Sequence, residues 1–251
     1  MAKITFTKKK KTKIENVGYI EIKDATDGNV ELYIYGDIVS STWEKWSDED
    51  RCPQDITDFL KTISPTADIT LYINSCGGDV FAGIGIYNIL LRHKGHITGI
   101  VDGIAASIAS VILMACDDII VSTGAQIMIH KPLTYACGNA DDFAAAIEQL
   151  NHCQESITDI YMTKAKEGIE REDIEKAINA ETWLSGAAAA EYFNIKVEEH
   201  ALIAACAGDI IGKFKKMPEN IKIETVEDIN TRNNEAMEAQ KILSDLDFYG
   251  I

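Results

Sequence analysis

With 251 residues, 46% of them hydrophobic, the chain can bury one full core, and one main domain with appendages is the expected organisation. Its 40 acidic residues outnumber 24 basic ones for a formal net charge of −16, which repels nucleic acid and anionic membrane surfaces and argues against both as partners. The six cysteines, Cys52, Cys76, Cys116, Cys137, Cys153 and Cys206, are scattered with no C-x-x-C pair, a pattern that suits reduced thiols in a cytoplasmic protein. No secretory signal or run of membrane-spanning length is recognisable, so a soluble, cytoplasmic protein is expected.

The chain opens on a basic run, Lys3, Lys8, Lys9, Lys10, Lys11 and Lys13, read as a flexible tail over 1–16. Val17 to Lys23 and Val30 to Tyr35 are rich in β-branched and aromatic residues, and Asp27-Gly28-Asn29 between them reads as the turn of a β-hairpin. From Trp43 to Ile63 the pattern turns helical, and Ile69 to Ile73 is a short apolar run suited to a strand buried on both faces. Val80 to Leu91 then reads as helix, Ile97 to Val101 as strand, Ser107 to Ala115 as apolar helix, and Ile119 to Val121 and Ile127 to Ile129 as strands. This alternation predicts βαβ units. A long amphipathic helix begins at Asn139, with Phe143, Ile147, Leu150, Ile157 and Tyr161 along one stripe. The main domain is expected over 17–200, with an acidic appendage over 201–251.

Four segments could carry chemistry, and each has a purely structural reading beside the functional one. Asn74-Ser75-Cys76-Gly77-Gly78-Asp79 lies between a buried strand and a helix. It is either a plain turn or a place where backbone N–H groups point into a cleft as an oxyanion hole. It lacks the Gly-Lys-Ser/Thr of a phosphate-binding loop. In Gly103-Ile104-Ala105-Ala106-Ser107, small neighbours would give a serine nucleophile the room it needs, while the same serine could cap the next helix. Ser110, one turn on, is the rival nucleophile. His130 ends an apolar strand, where α/β proteins place their sites, or is an ordinary buried histidine. Glu181, between two helical stretches, could orient such a histidine or merely cap a helix. No histidines or cysteines sit at metal-ligand spacing, so no metal is expected.

Taken in order, Gly77-Gly78 before a helix, Gly-x-Ala-Ala-Ser at 103–107, Met-Ile-His-x-Pro at 128–132 and Leu-Ser-x-x-x-Ala-x-x-Tyr at 184–192 resemble the proteolytic subunit of Clp protease over roughly Val30 to Val197. The resemblance implies a crotonase-like α/β spiral of βαβ units with a long projecting helix. It implies a serine endopeptidase with Ser107 as nucleophile, His130 as base, Glu181 where the family usually has the triad aspartate, and the Gly78 and Ile108 amides as oxyanion hole. No cofactor is implied. Polypeptide substrates and a homo-oligomeric ring, a heptamer or a stacked double ring enclosing a chamber, are. Two departures, a Trp- and Asp-rich stretch from Trp43 to Pro53 and an N-terminal region unlike the family's pore-lining segment, resemble head-maturation proteases of tailed phages and prophages. Those act on capsid or scaffold chains, and no ATP-driven unfoldase is then expected. Three other readings stay open: an unfoldase-coupled Clp subunit, an acyl-CoA enzyme of crotonase type, and an inactive ring or capsid-assembly component.

Overall fold

The computed structural model describes residues 2–10, 13–22 and 29–198; the expected C-terminal appendage lies outside them. The elements in chain order are β1 (Ala2–Lys10), β2 (Lys13–Ile22), β3 (Asn29–Tyr35), α1 (Pro53–Leu60), β4 (Asp68–Ser75), α2 (Val80–Leu91), β5 (Ile97–Ala106), α3 (Ile108–Leu113), β6 (Asp118–Ser122), β7 (Gln126–Ile129), α4 (Ala140–Met162), α5 (Arg171–Ala180), β8 (Thr182–Ser185), α6 (Gly186–Tyr192) and β9 (Lys196–Glu198). The main sheet runs β3-β4-β5-β6-β9, with every neighbouring pair parallel. Parallel neighbours require crossovers, and α2 and α3 supply them, which makes this the α/β arrangement of βαβ units expected from the alternation of elements.

The strand at the centre decides where the site lies. Thr98–Val101 of β5 pair with β6, whereas Ile104–Ala106 pair with β7. One strand therefore serves two successive neighbours, and its final residues are carried past β6 onto β7. β8 closes the far side of β7 in antiparallel register, Ile129 opposite Thr182. The core beneath contains Leu32, Ile34, Leu71, Ile73, Val101, Val121 and Ile127, all fully buried, each worth roughly 1.5–3 kcal/mol relative to exposure.

Helix α4 has 23 residues, about 35 Å at 1.5 Å per residue. Asn139 caps it by accepting from the amides of Asp141 and Asp142. Its buried residues, Cys153, Ile157, Thr158 and Tyr161, all fall in the second half, while Phe143 and Ile147 stay exposed. The predicted apolar stripe thus serves the core only at one end, and the other end projects.

Two expectations are corrected. Among the described residues the hairpin joining 17–23 to 30–35 does not form: β2 pairs instead with β1, and β3 lies parallel to β4. β3 makes that choice because Leu32 and Ile34 gain burial beside Leu71 and Ile73. The helix from Trp43 is confined to Pro53–Leu60. The preceding segment is held open by the buried Asp50 carboxylate, which accepts from the amides of Asp37 at 3.0 Å, Trp46 at 2.9 Å and Ser47 at 3.0 Å. Side-chain oxygens that satisfy backbone amides compete with helix formation. Asp50→Ala removes all three acceptor contacts and is expected to lower unfolding free energy by about 2 kcal/mol, measured by urea denaturation.

Candidate active site

Ser107 follows the last residue of β5 and precedes α3. Its backbone sits at φ 55°, ψ −130°, a conformation that costs a residue with a side chain roughly 1–3 kcal/mol. It is held there because the Ser107 N–H donates to Met128 C=O at 2.9 Å, continuing the β5–β7 ladder beyond the strand's end. The sharp reversal lifts the hydroxyl out of the sheet. Although Ser107 occupies the cap position of α3, its side chain makes no capping hydrogen bond, so the capping reading of this serine fails. Its Oγ lies 2.8 Å from His130 Nε2 instead.

His130 follows the last residue of β7, the strand beside the end of β5, so the β5–β7 register is what brings the two side chains together. Burial pushes the imidazole's pKa below its ordinary 6.5, and the nearby Glu181 carboxylate works in the opposite direction. The ring is therefore neutral at pH 7 and able to accept a proton. Glu181 ends α5 in the left-handed region, φ 51°. That turn starts β8, whose Thr182 lies opposite Ile129, and this places the carboxylate in electrostatic reach of His130.

Gly77 and Gly78 pack against the same turn. A Cβ on Gly77 (φ +99°) would stand 2.7 Å from Ser107 Cβ and 3.2 Å from Ile108 N, and one on Gly78 would stand 1.9 Å from Ile38 O. Neither position admits a side chain. Ser75, fully buried, fixes the loop: its hydroxyl donates to Gly36 C=O at 2.6 Å and accepts from Gly77 N–H at 3.1 Å. Among the described residues neither the Gly78 nor the Ile108 N–H donates a backbone hydrogen bond outside the helix and strand ladders. The arrangement thus offers a hydroxyl beside a neutral imidazole, with two uncommitted amides next to it.

Ser110, the rival nucleophile, is fully buried. Its Oγ lies 2.6 Å from Ser107 O, 3.1 Å from Met128 O and 2.8 Å from the Tyr161 hydroxyl. It is committed to the interior. A narrow cleft lined by Val80, Val111, Pro132, Ile157 and Tyr161 opens at Ser107 and His130.

A model of the Clp protease family matches residues 49–195, which include all five candidate residues. The chain belongs to the Clp protease family. Among curated relatives, an ATP-dependent Clp protease proteolytic subunit from Porphyromonas gingivalis is 31% identical over 136 residues, 53% of this chain and 60% of that one. Proteins of the same description from Bacteroides fragilis and Bacteroides thetaiotaomicron are 30% identical over 136 residues and 34% over 101, covering 65% and 46% of their lengths. The chain therefore spans about 60% of the first Clp relatives it matches.

The electrostatics of the pair can be tested without an activity assay. Followed by NMR, His130 is expected to titrate below 6.5, and Glu181→Gln to move the midpoint lower still, because removing a neighbouring negative charge disfavours the imidazolium. An unchanged midpoint would dissociate Glu181 from His130.

Proposed function

We propose that this chain is a serine endopeptidase in which Ser107 is the nucleophile, His130 the general base and Glu181 the carboxylate behind the base. The observation that carries the reading is the 2.8 Å approach of Ser107 Oγ to His130 Nε2, made by a serine whose backbone is held at φ 55°. Nε2 takes the hydroxyl proton as Oγ bonds to the carbonyl carbon of a peptide. The C=O π pair moves onto oxygen, and the amides of Gly78 and Ile108 stabilise that charge. The intermediate collapses by breaking the C–N bond, the imidazolium returning its proton to the leaving amine. Water, deprotonated by the same ring, then releases the acyl group and restores Ser107. Glu181 favours the imidazolium that forms in each half. No cofactor is needed.

The side chains that line the cleft are apolar or aromatic apart from Ser107 and His130, which favours an apolar side chain next to the scissile bond. Phe143 and Ile147 on the projecting half of α4, and Phe81 on α2, are exposed, which supports a homo-oligomeric ring with the site inside a chamber. The net charge of −16 and the lack, among the described residues, of any helix long and apolar enough to cross a membrane agree with a cytoplasmic setting. The finer proposal is a phage or prophage head-maturation protease acting on capsid or scaffold chains. It rests on the Trp43–Pro53 stretch, where Trp43 and Trp46 are exposed on the segment anchored by Asp50. The relatives' description as ATP-dependent proteolytic subunits supports the alternative, in which an unfoldase supplies the substrate.

The test pairs covalent labelling with cleavage. A fluorophosphonate probe is expected to label the purified chain, and the chain to cleave an unstructured protein. Both signals should vanish in Ser107→Ala, and labelling should survive Ser110→Ala. Labelling lost only in Ser110→Ala would move the nucleophile, and an inert chain with Ser107 intact would favour a non-catalytic ring.

A further inference from the structure

Ser110 and Tyr161 lie behind the candidate site, and neither takes part in the proton transfers proposed for it. They nevertheless form a chain of contacts that ends on the nucleophile's own backbone. Tyr161 sits on the buried half of α4 and is essentially inaccessible to solvent. Its hydroxyl is 2.8 Å from Ser110 Oγ, which in turn is 2.6 Å from Ser107 O.

The proton count fixes the direction. A serine hydroxyl has one proton to give and two lone pairs to receive with. Carbonyl oxygens cannot donate, so the hydroxyl proton of Ser110 goes to a carbonyl, and Ser107 O at 2.6 Å is nearer than Met128 O at 3.1 Å. Burial pushes the Tyr161 phenol well above its ordinary pKa. It keeps its proton and donates it to Ser110. The order is Tyr161 O–H to Ser110 Oγ, then Ser110 O–H to Ser107 C=O.

The Ser107 carbonyl belongs to the same rigid peptide plane as the Ile108 N–H. In a trans peptide the two point in opposite directions, so a donor that holds the carbonyl on the buried side aims the amide towards the opposite, cleft side. We infer that Ser110 and Tyr161 are positioning residues that orient the Ile108 N–H for the developing oxyanion. The Ser107 N–H, tied to Met128 O, fixes the preceding plane; on the following one the Ser107 carbonyl accepts the Ser110 backbone N–H at 3.0 Å, and the shorter Ser110 hydroxyl contact, backed by Tyr161, adds the second hold. The strained turn is thus clamped on both sides, and one clamp originates in the long helix.

This inference deepens the proposed function and rests on it. A clamp on an oxyanion donor works only when charge develops on the substrate oxygen, so its loss should lower kcat and leave KM nearly alone. In the full chain, Tyr161→Phe keeps the ring that lines the cleft and removes only the hydroxyl. It is expected to lower kcat about tenfold, with KM changed less than about twofold, a fraction of the 10²–10³ lost when an oxyanion donor is removed outright. Ser110→Ala should lower kcat at least as much, and the double variant no further than Ser110→Ala alone, because the two hydroxyls act in series. Affinity for a peptide boronate that bonds to Ser107 should fall by the same factor as kcat/KM. A purely structural pair would instead lower the melting temperature with kcat and boronate affinity unchanged at temperatures where the chain stays folded, or would give multiplicative losses in the double variant. Either result overturns the inference. Wild type and Ser107→Ala run in the same assay keep the two levels apart: an inert wild type overturns the peptidase reading itself, whereas an active wild type with unaffected Tyr161→Phe overturns only the clamp.

Discussion

The site depends on one backbone turn. At Ser107 the chain leaves a parallel strand and enters a helix within a single residue, at a φ that L-residues with side chains avoid. Such a conformation survives only where its surroundings over-determine it. Here they do so through the β7 ladder, which takes the Ser107 N–H, through the Ser110 contact on the Ser107 carbonyl, and through Gly77, whose missing side chain lets the neighbouring loop close onto the turn. The splitting of β5 between β6 and β7 follows the same requirement. A strand that stopped beside β6 would end short of β7, and β7 is the strand that delivers His130.

The carboxylate illustrates how the site is assembled from distant parts. Glu181 and His130 are far apart in sequence and meet because α5 ends in a left-handed residue that redirects the chain into β8, antiparallel to β7. The left-handed turn sets the backbone of Glu181 independently of the helix. Burial lowers the affinity of His130 for a proton and Glu181 raises it. Burial is the larger of the two, so the ring is neutral at pH 7, the state in which an imidazole can accept a proton.

Legibility from sequence follows the range of the forces involved. Short apolar runs identified β4, β6 and β7, β4 being buried on both faces and β6 alternating, and helix α2 was readable over its whole length, because local composition alone marks these elements. What failed was set by tertiary partners. Ile104–Ala106 read as a connection and is strand because β7 lies beside it; β8 read as a link and is strand for the same reason. The segment before Pro53 read as helix because nothing in its sequence reveals that Asp50 folds inward to collect three amides. In the candidate site, the order of Gly77-Gly78, Ser107, His130 and Glu181 was visible, whereas the role of Ser110 was not. A serine in an otherwise apolar helix signals an unmet polar group, but only the fold shows that it turns back onto its own elbow and is completed by Tyr161.

The central claim is that one point in space is shared by the Ser107 hydroxyl, the His130 imidazole and the amides of Gly78 and Ile108. The most direct test is a crystal structure of the chain with a bound peptide boronate. The account predicts tetrahedral boron bonded to Ser107 Oγ, with one boronate oxygen about 2.7–3.1 Å from both the Gly78 and the Ile108 nitrogens. Boron bonded elsewhere, or an adduct on Ser107 whose oxygens face away from those amides, would contradict it.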